Sequence, residues 1–311
     1  MIGGLFASLC TPFSPSGDLD LEGLRSIVRF GLESGTDGFL CTALAGEVAE
    51  LTDEERRAVA ATVLEEVAGR VPVIVGVARD DDDKAASLAR FAAKSGAACI
   101  LVPARPAPLE RPANCEVLEL LLSIVGAEIM VQEAPRYSEA RYGLTILAQL
   151  AETLAVPPHV KVEGGPRQLE EVRAALGDAV PTWGGDGGLY LLDCLRSGAV
   201  GVIPGVEVID WLTAAFRAES SGEADVADEI LRSLLPYLVF AMQSQAQYVS
   251  CAKWVLHRRG LIDSAAARTP GAALGDSQSG SLSSYFAHIE GREPPGGTGA
   301  GKPLLRKDAP S

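Results

Sequence analysis

Lys161 is the residue whose type and position best suit covalent chemistry. The chain has six lysines, and Lys161 alone lies inside a predicted strand, His159–Glu163. Burying an ammonium is costly unless the amine loses its proton or gains a partner, and a neutral lysine condenses with carbonyl carbons to form a Schiff base. We therefore treat Lys161 as a candidate nucleophile. The alternative is a structural ion pair with Glu163.

The neighbours of Lys161 along the strand are the first candidates for proton transfer. Side chains two residues apart share one face of a strand, so His159, Lys161 and Glu163 should point the same way. Glu163, two residues beyond the lysine, is the candidate acid and base, or simply the counter-ion of the lysine. His159 should lie deeper, as a hydrogen-bonded core histidine or as a proton relay.

Eight short apolar runs alternate with longer amphipathic stretches, which predicts βαβ units and a parallel sheet. The predicted strands are Leu5–Thr11, Gly38–Thr42, Pro72–Val77, Ala98–Pro103, Glu128–Glu133, His159–Glu163, Pro181–Gly184 and Val200–Pro204. The predicted helices are Leu21–Ser34, Asp53–Ala68, Asp80–Ser95, Cys115–Val125, Tyr142–Leu154, Arg167–Leu176 and Gly188–Ser197. Eight such units close a (β/α)8 TIM barrel, the predicted α/β fold. Its reactive groups lie at the C-terminal ends of the strands, where Lys161 is found.

The predicted organisation has three parts. The barrel covers residues 1–205, and a helical extension packed on the barrel covers 206–268. Residues 269–311 are rich in Gly, Pro and Ser, which predicts a mobile tail.

Composition and charge restrict the classes of partner. Hydrophobic residues make up 47% of the chain, enough for a large core, and 41 acidic against 27 basic side chains give a net charge of −14. Such a surface repels phosphate backbones and anionic lipids, so we expect no nucleic acid and no membrane partner. The sequence has neither a long apolar run nor a signal-peptide pattern, and we expect a cytoplasmic protein.

Several motifs occur in an order that resembles one enzyme family. They are Thr11–Phe13, Gly17–Leu24, Gly46-Glu47, Leu51–Arg56, Pro135, Lys161, Gly198–Gly205 and Lys253–Ile262. In this order they resemble the dihydrodipicolinate synthase/N-acetylneuraminate lyase family of class I, Schiff-base aldolases. The resemblance implies the same barrel with C-terminal helices, and an imine between Lys161 and pyruvate or a related 2-oxo acid. It also implies a homo-oligomer, a dimer or tetramer, with no metal or organic cofactor.

The sequence departs from the family at its proton relay. The family motif Gly-Thr-Thr-Gly-Glu is replaced by Ala43–Glu47, which lacks both threonines. Gln132 occupies the position of the family tyrosine on strand five, and no tyrosine follows strand four. An amide orients groups by hydrogen bonds but cannot shuttle a proton as a phenol does. We therefore expect Gln132 to orient its neighbours, and we do not expect dihydrodipicolinate synthesis itself.

Substrate-binding candidates follow from the resemblance and from the loops. Backbone N–H groups of the turn formed by Leu44, Ala45, Gly46 and Glu47 can hold a carboxylate without side chains. Arg136 could add a bidentate contact, or be a solvated loop charge. Gly185 and Ile203 belong to segments that line the substrate mouth in the family. Two nearby phenols, Tyr137 and Tyr190, could supply a displaced hydroxyl or serve only in packing.

The leading hypothesis is a Schiff-base lyase, an aldolase or dehydratase acting on pyruvate or a related 2-oxo acid through Lys161. One alternative is a catalytically silent 2-oxo-acid-binding barrel that lost the relay. The other is a dihydrodipicolinate synthase with a rebuilt relay.

Overall fold

Eight parallel strands close into a barrel in which each strand pairs with the next and β1 pairs with β8. The computed structural model describes residues 2–77, 81–104, 127–137, 142–153 and 156–295. The strands are β1 Gly4–Ser8, β2 Gly38–Cys41, β3 Val73–Gly76, β4 Cys99–Pro103, β5 Glu128–Glu133, β6 His159–Val162, β7 Thr182–Gly184 and β8 Gly201–Val202. The predicted TIM barrel with eight strands is confirmed.

Most strands are shorter than the apolar runs that predicted them. The first run was predicted over Leu5–Thr11, whereas β1 ends at Ser8. The apolar sequence continues because the chain stays buried as it leaves the sheet. Leu9, for example, still donates its amide to the Leu40 carbonyl at 2.8 Å. The buried segment is therefore longer than the segment that pairs with neighbouring strands, and hydrophobicity alone places the strand ends too far along the chain.

Helices surround the barrel on the outside. Those of the β/α units are α1 Leu21–Glu33, α2 Asp53–Val67, α3 Asp82–Lys94, α4 Gly143–Thr153, α5 Gly165–Leu176 and α6 Leu191–Arg196. The best-defined start is that of α2, where Thr52 and Glu55 form a capping box. The predicted helix Cys115–Val125 lies outside the described residues.

The described residues form two apolar clusters, a large one and a separate one of nine buried residues. The smaller cluster contains Phe6 and Trp183, whose rings meet edge to face at 5.1 Å between centroids. His159 joins it: its Nδ1 accepts from Trp183 Nε1 at 2.9 Å, and its Nε2 lies 2.9 Å from Glu128. Burial lowers the pKa of His159. Both ring nitrogens are partnered, as expected of a core histidine.

In the described part of the chain four further helices follow the barrel, and the last one was not predicted. They are α7 Ile209–Ser220, α8 Ala224–Ala241, α9 Gln245–Arg258 and α10 Asp276–Phe286. The composition of 269–311 predicts a tail, whereas α10 forms within this segment because Leu282 and Phe286 are buried. The Phe286 ring lies 6.4 Å from Tyr237 and 6.0 Å from Trp254. Two apolar residues four positions apart thus anchor a Ser-rich helix.

No helix within the described ranges has both the length and the apolar character that crossing a bilayer requires.

Candidate active site

The three predicted catalytic residues lie together at the C-terminal ends of β5 and β6. The Lys161 ammonium is ion-paired with Glu163 Oε1, and the two residues are only 4% and 7% exposed. Gln132 Nε2 donates to the same carboxylate oxygen at 3.2 Å. The sheet explains this grouping, because Gln132 is paired in register with Lys161. The Gln132 amide thus positions the Glu163 carboxylate, which in turn positions the Lys161 amine.

A cavity of about 470 Å³, including its solvent-open mouth, lies over this group. The lining residues are Ser8, Ala43, Leu44, Ala45, Tyr137, Lys161, Glu163, Gly187, Ile203, Pro204, Gly205, Met242, Gln245 and Tyr248. Lys161 therefore has both an anionic partner and open space beside it, so the ion pair does not close the site.

The predicted substrate-binding residues divide into two groups. Leu44, Ala45 and Ile203 lie on the cavity wall, whereas Gly46, Glu47, Arg136 and Gly185 do not. The Gly46 and Glu47 amides donate to the carbonyls of Ala43 and Leu44 inside a 3-10 turn, Leu44–Gly46. Gly185 acts behind the wall, since a Cβ there would lie 2.6 Å from Glu163 Cγ. Its lack of a side chain leaves room for Glu163.

Glu47 is part of a buried ion pair that sequence reasoning missed. Its carboxylate contacts the Lys253 ammonium, and both side chains are fully buried. It also accepts from the amides of Arg268 at 2.7 Å and Thr269 at 2.6 Å. The Lys253 ammonium donates to the Ala266 carbonyl at 2.8 Å. Glu47 therefore joins the turn after β2 to α9 and to the segment that follows it.

Arg136 faces a carboxylate of the protein. Its guanidinium lies 3.4 Å from Asp186 Oδ1 and stands over the Tyr190 ring at 5.9 Å. Tyr137, which lines the cavity, donates to the same Asp186 oxygen at 3.0 Å. Burial raises the pKa of Asp186 and of Tyr137. Of the two predicted phenols, Tyr137 reaches the cavity and Tyr190 does not.

A third phenol, Tyr248 of α9, also lines the cavity and was not predicted. It donates to Glu207 Oε2 at 3.1 Å, while Tyr237 donates to Glu207 Oε1 at 2.9 Å. Glu207 lies in the turn Val206–Val208 after β8 and is fully buried. No local pattern could have indicated this contact, because it depends on α9 folding back to the mouth of the barrel.

Burial also acts on the ionisation of this phenol–carboxyl group. It raises the pKa of Glu207, and burial together with the charge of Glu207 raises the pKa of Tyr248. The charge of Glu163 is a smaller cause of the same shift in Tyr248. The Tyr248 hydroxyl thus lies within electrostatic range of the lysine site.

In the ranges that the structure describes, no three acidic, His or Cys side chains are grouped as a metal centre requires.

Comparison with known proteins gives a consistent result over most of the chain. The profile of the dihydrodipicolinate synthetase family matches residues 1–288. The L-2-keto-3-deoxyarabonate dehydratase of Azospirillum brasilense is 29% identical over 274 residues, covering 86% of this chain and 88% of the relative. The 4-hydroxy-tetrahydrodipicolinate synthase of Methylococcus capsulatus is 31% identical over 271 residues, covering 84% and 90%.

Solved structures share the fold at lower sequence identity. YagE of E. coli K12, a prophage protein of the dihydrodipicolinic acid synthase family solved in complex with pyruvate, superimposes with a TM-score of 0.84. The two chains are 21% identical, and the match covers 92% of this chain and 98% of YagE. At this identity the likeness establishes the fold.

Proposed function

The chain belongs to the dihydrodipicolinate synthetase family, and from that membership we propose that it is a Schiff-base lyase acting on pyruvate or a related 2-oxo acid. The observation that carries the proposal is the Lys161 amine, held by Glu163 on the wall of an open cavity at the end of β6. The relatives include a synthase and a dehydratase, and one family structure contains pyruvate.

The Lys161–Glu163 contact supports the first half of the reaction. Glu163 accepts a proton from the lysine, and the neutral amine attacks the keto carbon C2 of the substrate. The former keto oxygen takes one proton from the attacking nitrogen, which gives the neutral carbinolamine, and a second proton from the Glu163 carboxyl. The C2–O bond then breaks and water leaves. The product is an iminium joined to Lys161, which withdraws electrons from the adjacent bonds. Gln132 keeps Glu163 in place through its 3.2 Å hydrogen bond.

The substrate carboxylate requires donors, and the turn after β2 offers two. The amides of Leu44 and Ala45 begin the 3-10 turn, and neither has a hydrogen-bond partner within the described residues. Both residues line the cavity. We assign the carboxylate to these amides and, beside them, to the Ser8 hydroxyl, which is on the same wall. Arg136 is not needed in this arrangement, because it faces Asp186.

Hydride trapping tests the proposal directly. Borohydride added with pyruvate should give the intact protein the mass of one reduced pyruvate adduct, located on Lys161 by peptide mapping. Lys161→Ala should abolish the adduct, and Lys84→Ala is the matched control because Lys84 is half exposed on α3. A series of longer 2-oxo acids would give the size limit of the cavity. An adduct that persists in Lys161→Ala would contradict the assignment.

The Lys161–Glu163 ion pair also supports a second candidate, a silent 2-oxo-acid-binding barrel. In that case pyruvate binds without forming an imine, and calorimetry detects binding while borohydride traps nothing. The third candidate, dihydrodipicolinate synthesis, predicts condensation of pyruvate with aspartate semialdehyde. We expect that assay to be negative, because Gln132 cannot transfer protons as the family tyrosine does. A robust rate would show that the relay has been rebuilt.

A further inference from the structure

The steps described so far include no residue that accepts the proton of the substrate hydroxyl. Cleaving the C3–C4 bond of a 4-hydroxy-2-oxo acid bound as an imine requires a base for the C4 hydroxyl. Gln132 cannot serve, since an amide is not a base at working pH. Glu163 already contacts Lys161 and Gln132. The cavity therefore needs a second proton acceptor, an argument that rests on the proposed function.

Tyr248 and Glu207 form a phenol–carboxyl pair that connects the cavity to the protein interior. Tyr248 is on the cavity wall and donates to Glu207 Oε2 at 3.1 Å. Because its proton is directed to Glu207, the phenolic oxygen keeps lone pairs for a further hydrogen bond. Gly205, another wall residue at the end of β8, allows this approach: a Cβ there would overlap both Tyr248 Oη and Glu207.

We propose that Tyr248 and Glu207 form the proton relay of this site, in place of the phenol that the family carries at the position of Gln132. The C4 hydroxyl of the imine-bound substrate gives its proton to the Tyr248 oxygen, and the Tyr248 proton moves to Glu207. The C3–C4 bond breaks, its electron pair forms the C2–C3 double bond of an enamine on Lys161, and the aldehyde leaves. Aldol addition is the same sequence reversed. Tyr248 is the catalytic residue, and Glu207 acts through it as the positioning residue.

Tyr137 is less suited to this role. Its carboxylate partner, Asp186, is held by the Gly165 amide at 3.0 Å and by the Arg136 guanidinium at 3.4 Å. A carboxylate facing a guanidinium is a poor proton acceptor. Burial raises the pKa of both carboxyls, but Glu207 faces no guanidinium at ion-pair distance within the described part of the chain, and its two oxygens accept from the phenols of Tyr237 and Tyr248. It therefore takes up a proton more readily.

Tyr248→Phe separates the relay from imine formation. We expect borohydride trapping of pyruvate to remain near the wild-type level. Cleavage of 4-hydroxy-2-oxo acids of five and six carbons should fall about 100-fold or more in kcat. Pyruvate release is followed with lactate dehydrogenase and NADH. KM should change little, because the hydroxyl is needed mainly in the transition state.

Tyr237→Phe is the matched control. Tyr237 is the other phenol on Glu207, fully buried and outside the cavity wall, so its loss removes an equivalent hydrogen bond. We expect a similar loss of thermal stability from both variants, while Tyr237→Phe keeps kcat within about fivefold of the wild type. If both variants lose kcat equally, Tyr248 has only a structural role.

Glu207→Gln tests the positioning residue through the pH profile. The relay needs Glu207 ionised, so wild-type kcat should fall at acidic pH along a limb above the usual carboxyl range, since burial raises the Glu207 pKa. Glu207→Gln should lower kcat and remove this limb. The titratable groups around Glu207 are Tyr237, Tyr248, Cys10 and Cys251, and burial raises the pKa of each, away from the acidic range. The guanidinium of Arg259 is the charged group that acts on Glu207 from the C-terminal end of α9.

The outcomes distinguish the relay from the function on which it rests. If the wild-type protein forms no trapped pyruvate adduct, both the proposed function and the relay are wrong. Wild type that traps pyruvate while Tyr248→Phe keeps more than about a third of kcat overturns the relay alone, since a proton-transfer group contributes far more than that. The relay is also wrong if the protein traps pyruvate but only dehydrates the 4-hydroxy-2-oxo acids and releases pyruvate from none of them.

Discussion

Lys253→Met removes the cation from the buried pair with Glu47 and keeps most of the apolar length of the side chain. In the wild type, the Lys253 ammonium contacts Glu47, donates to the Ala266 carbonyl at 2.8 Å and lies 4.1 Å from the centre of the Phe13 ring. After the substitution, the Glu47 carboxylate remains buried. The amides of Thr269 and Arg268 still donate to it, at 2.6 and 2.7 Å.

The expected loss follows from the burial of both partners. Removing one member of a fully buried ion pair destabilises proteins by about 3–5 kcal/mol, because the remaining charge stays buried without its counter-ion. The entropy of unfolding is about 2.1 cal/mol/K per residue, so the 311 residues of this chain give about 0.65 kcal/mol/K. The melting temperature should therefore fall by about 5–8 °C.

A double-mutant cycle measured by calorimetry isolates the pair. The variants are Lys253→Met, Glu47→Gln and the double substitution. We expect the double variant to be less destabilised than the sum by about 2–3 kcal/mol, since it leaves no unpaired charge. Lys84→Met is the control, because Lys84 lies in an exposed contact with Asp53 at 3.7 Å and should cost less than about 1 kcal/mol.

The cycle also decides what Glu47 does. The sequence placed it among the substrate-binding residues, whereas its carboxylate lies in the buried pair and off the cavity wall. Glu47→Gln should therefore lower the melting temperature and leave the pyruvate concentration for half-maximal trapping within about twofold, since it removes no substrate contact. Unchanged stability together with a tenfold weaker pyruvate response would refute this reasoning.

Two further predictions concern the lysine site and the barrel interior. Gly185→Ala should displace Glu163 and slow pyruvate trapping about 10- to 100-fold, while Gly280→Ala on α10, where a Cβ meets no atom within 4 Å, should leave the rate unchanged. Burial lowers the pKa of His159, so the native state resists its protonation and stability should decline as pH falls below about 6.5. The urea concentrations at the unfolding midpoint, compared at pH 7.5 and 5.5, measure this decline. It should be smaller in His159→Gln than in the wild type. An equal decline in the two proteins would exclude His159 as its source.

The sequence was sufficient for the barrel because parallel strands are buried on both faces and appear as continuous apolar runs. It also predicted the grouping of Gln132, Lys161 and Glu163. The two-residue period of β6 predicts Lys161 and Glu163 on one face, which is a local rule that a single chain suffices to apply. The position of Gln132 came from the resemblance to the family, and the pairing of β5 with β6 brings it into register with Lys161.

The contacts that escaped prediction join distant parts of the chain. Glu47 lies in the turn after β2 and Lys253 lies in α9, and no sequence periodicity relates the two residues. The helix α10 formed in a segment whose composition indicated a tail, since burial of Leu282 and Phe286 outweighs weak local propensity. Tyr248 reached the cavity for the same reason: the packing of α9, and not a strand motif, places it there.

The position of a functional group in space is therefore less tied to sequence order than a motif implies. Gln132 has no phenol, yet Tyr137 from the loop after β5 and Tyr248 from α9 both bring one to the cavity that Lys161 lines. Each phenol donates to a buried carboxyl, Asp186 or Glu207, whose pKa burial raises. A barrel mouth accepts side chains from any element that reaches it. A missing residue at one strand end thus argues against a particular relay, and the chemistry of the mouth has to be judged from all the groups that line it.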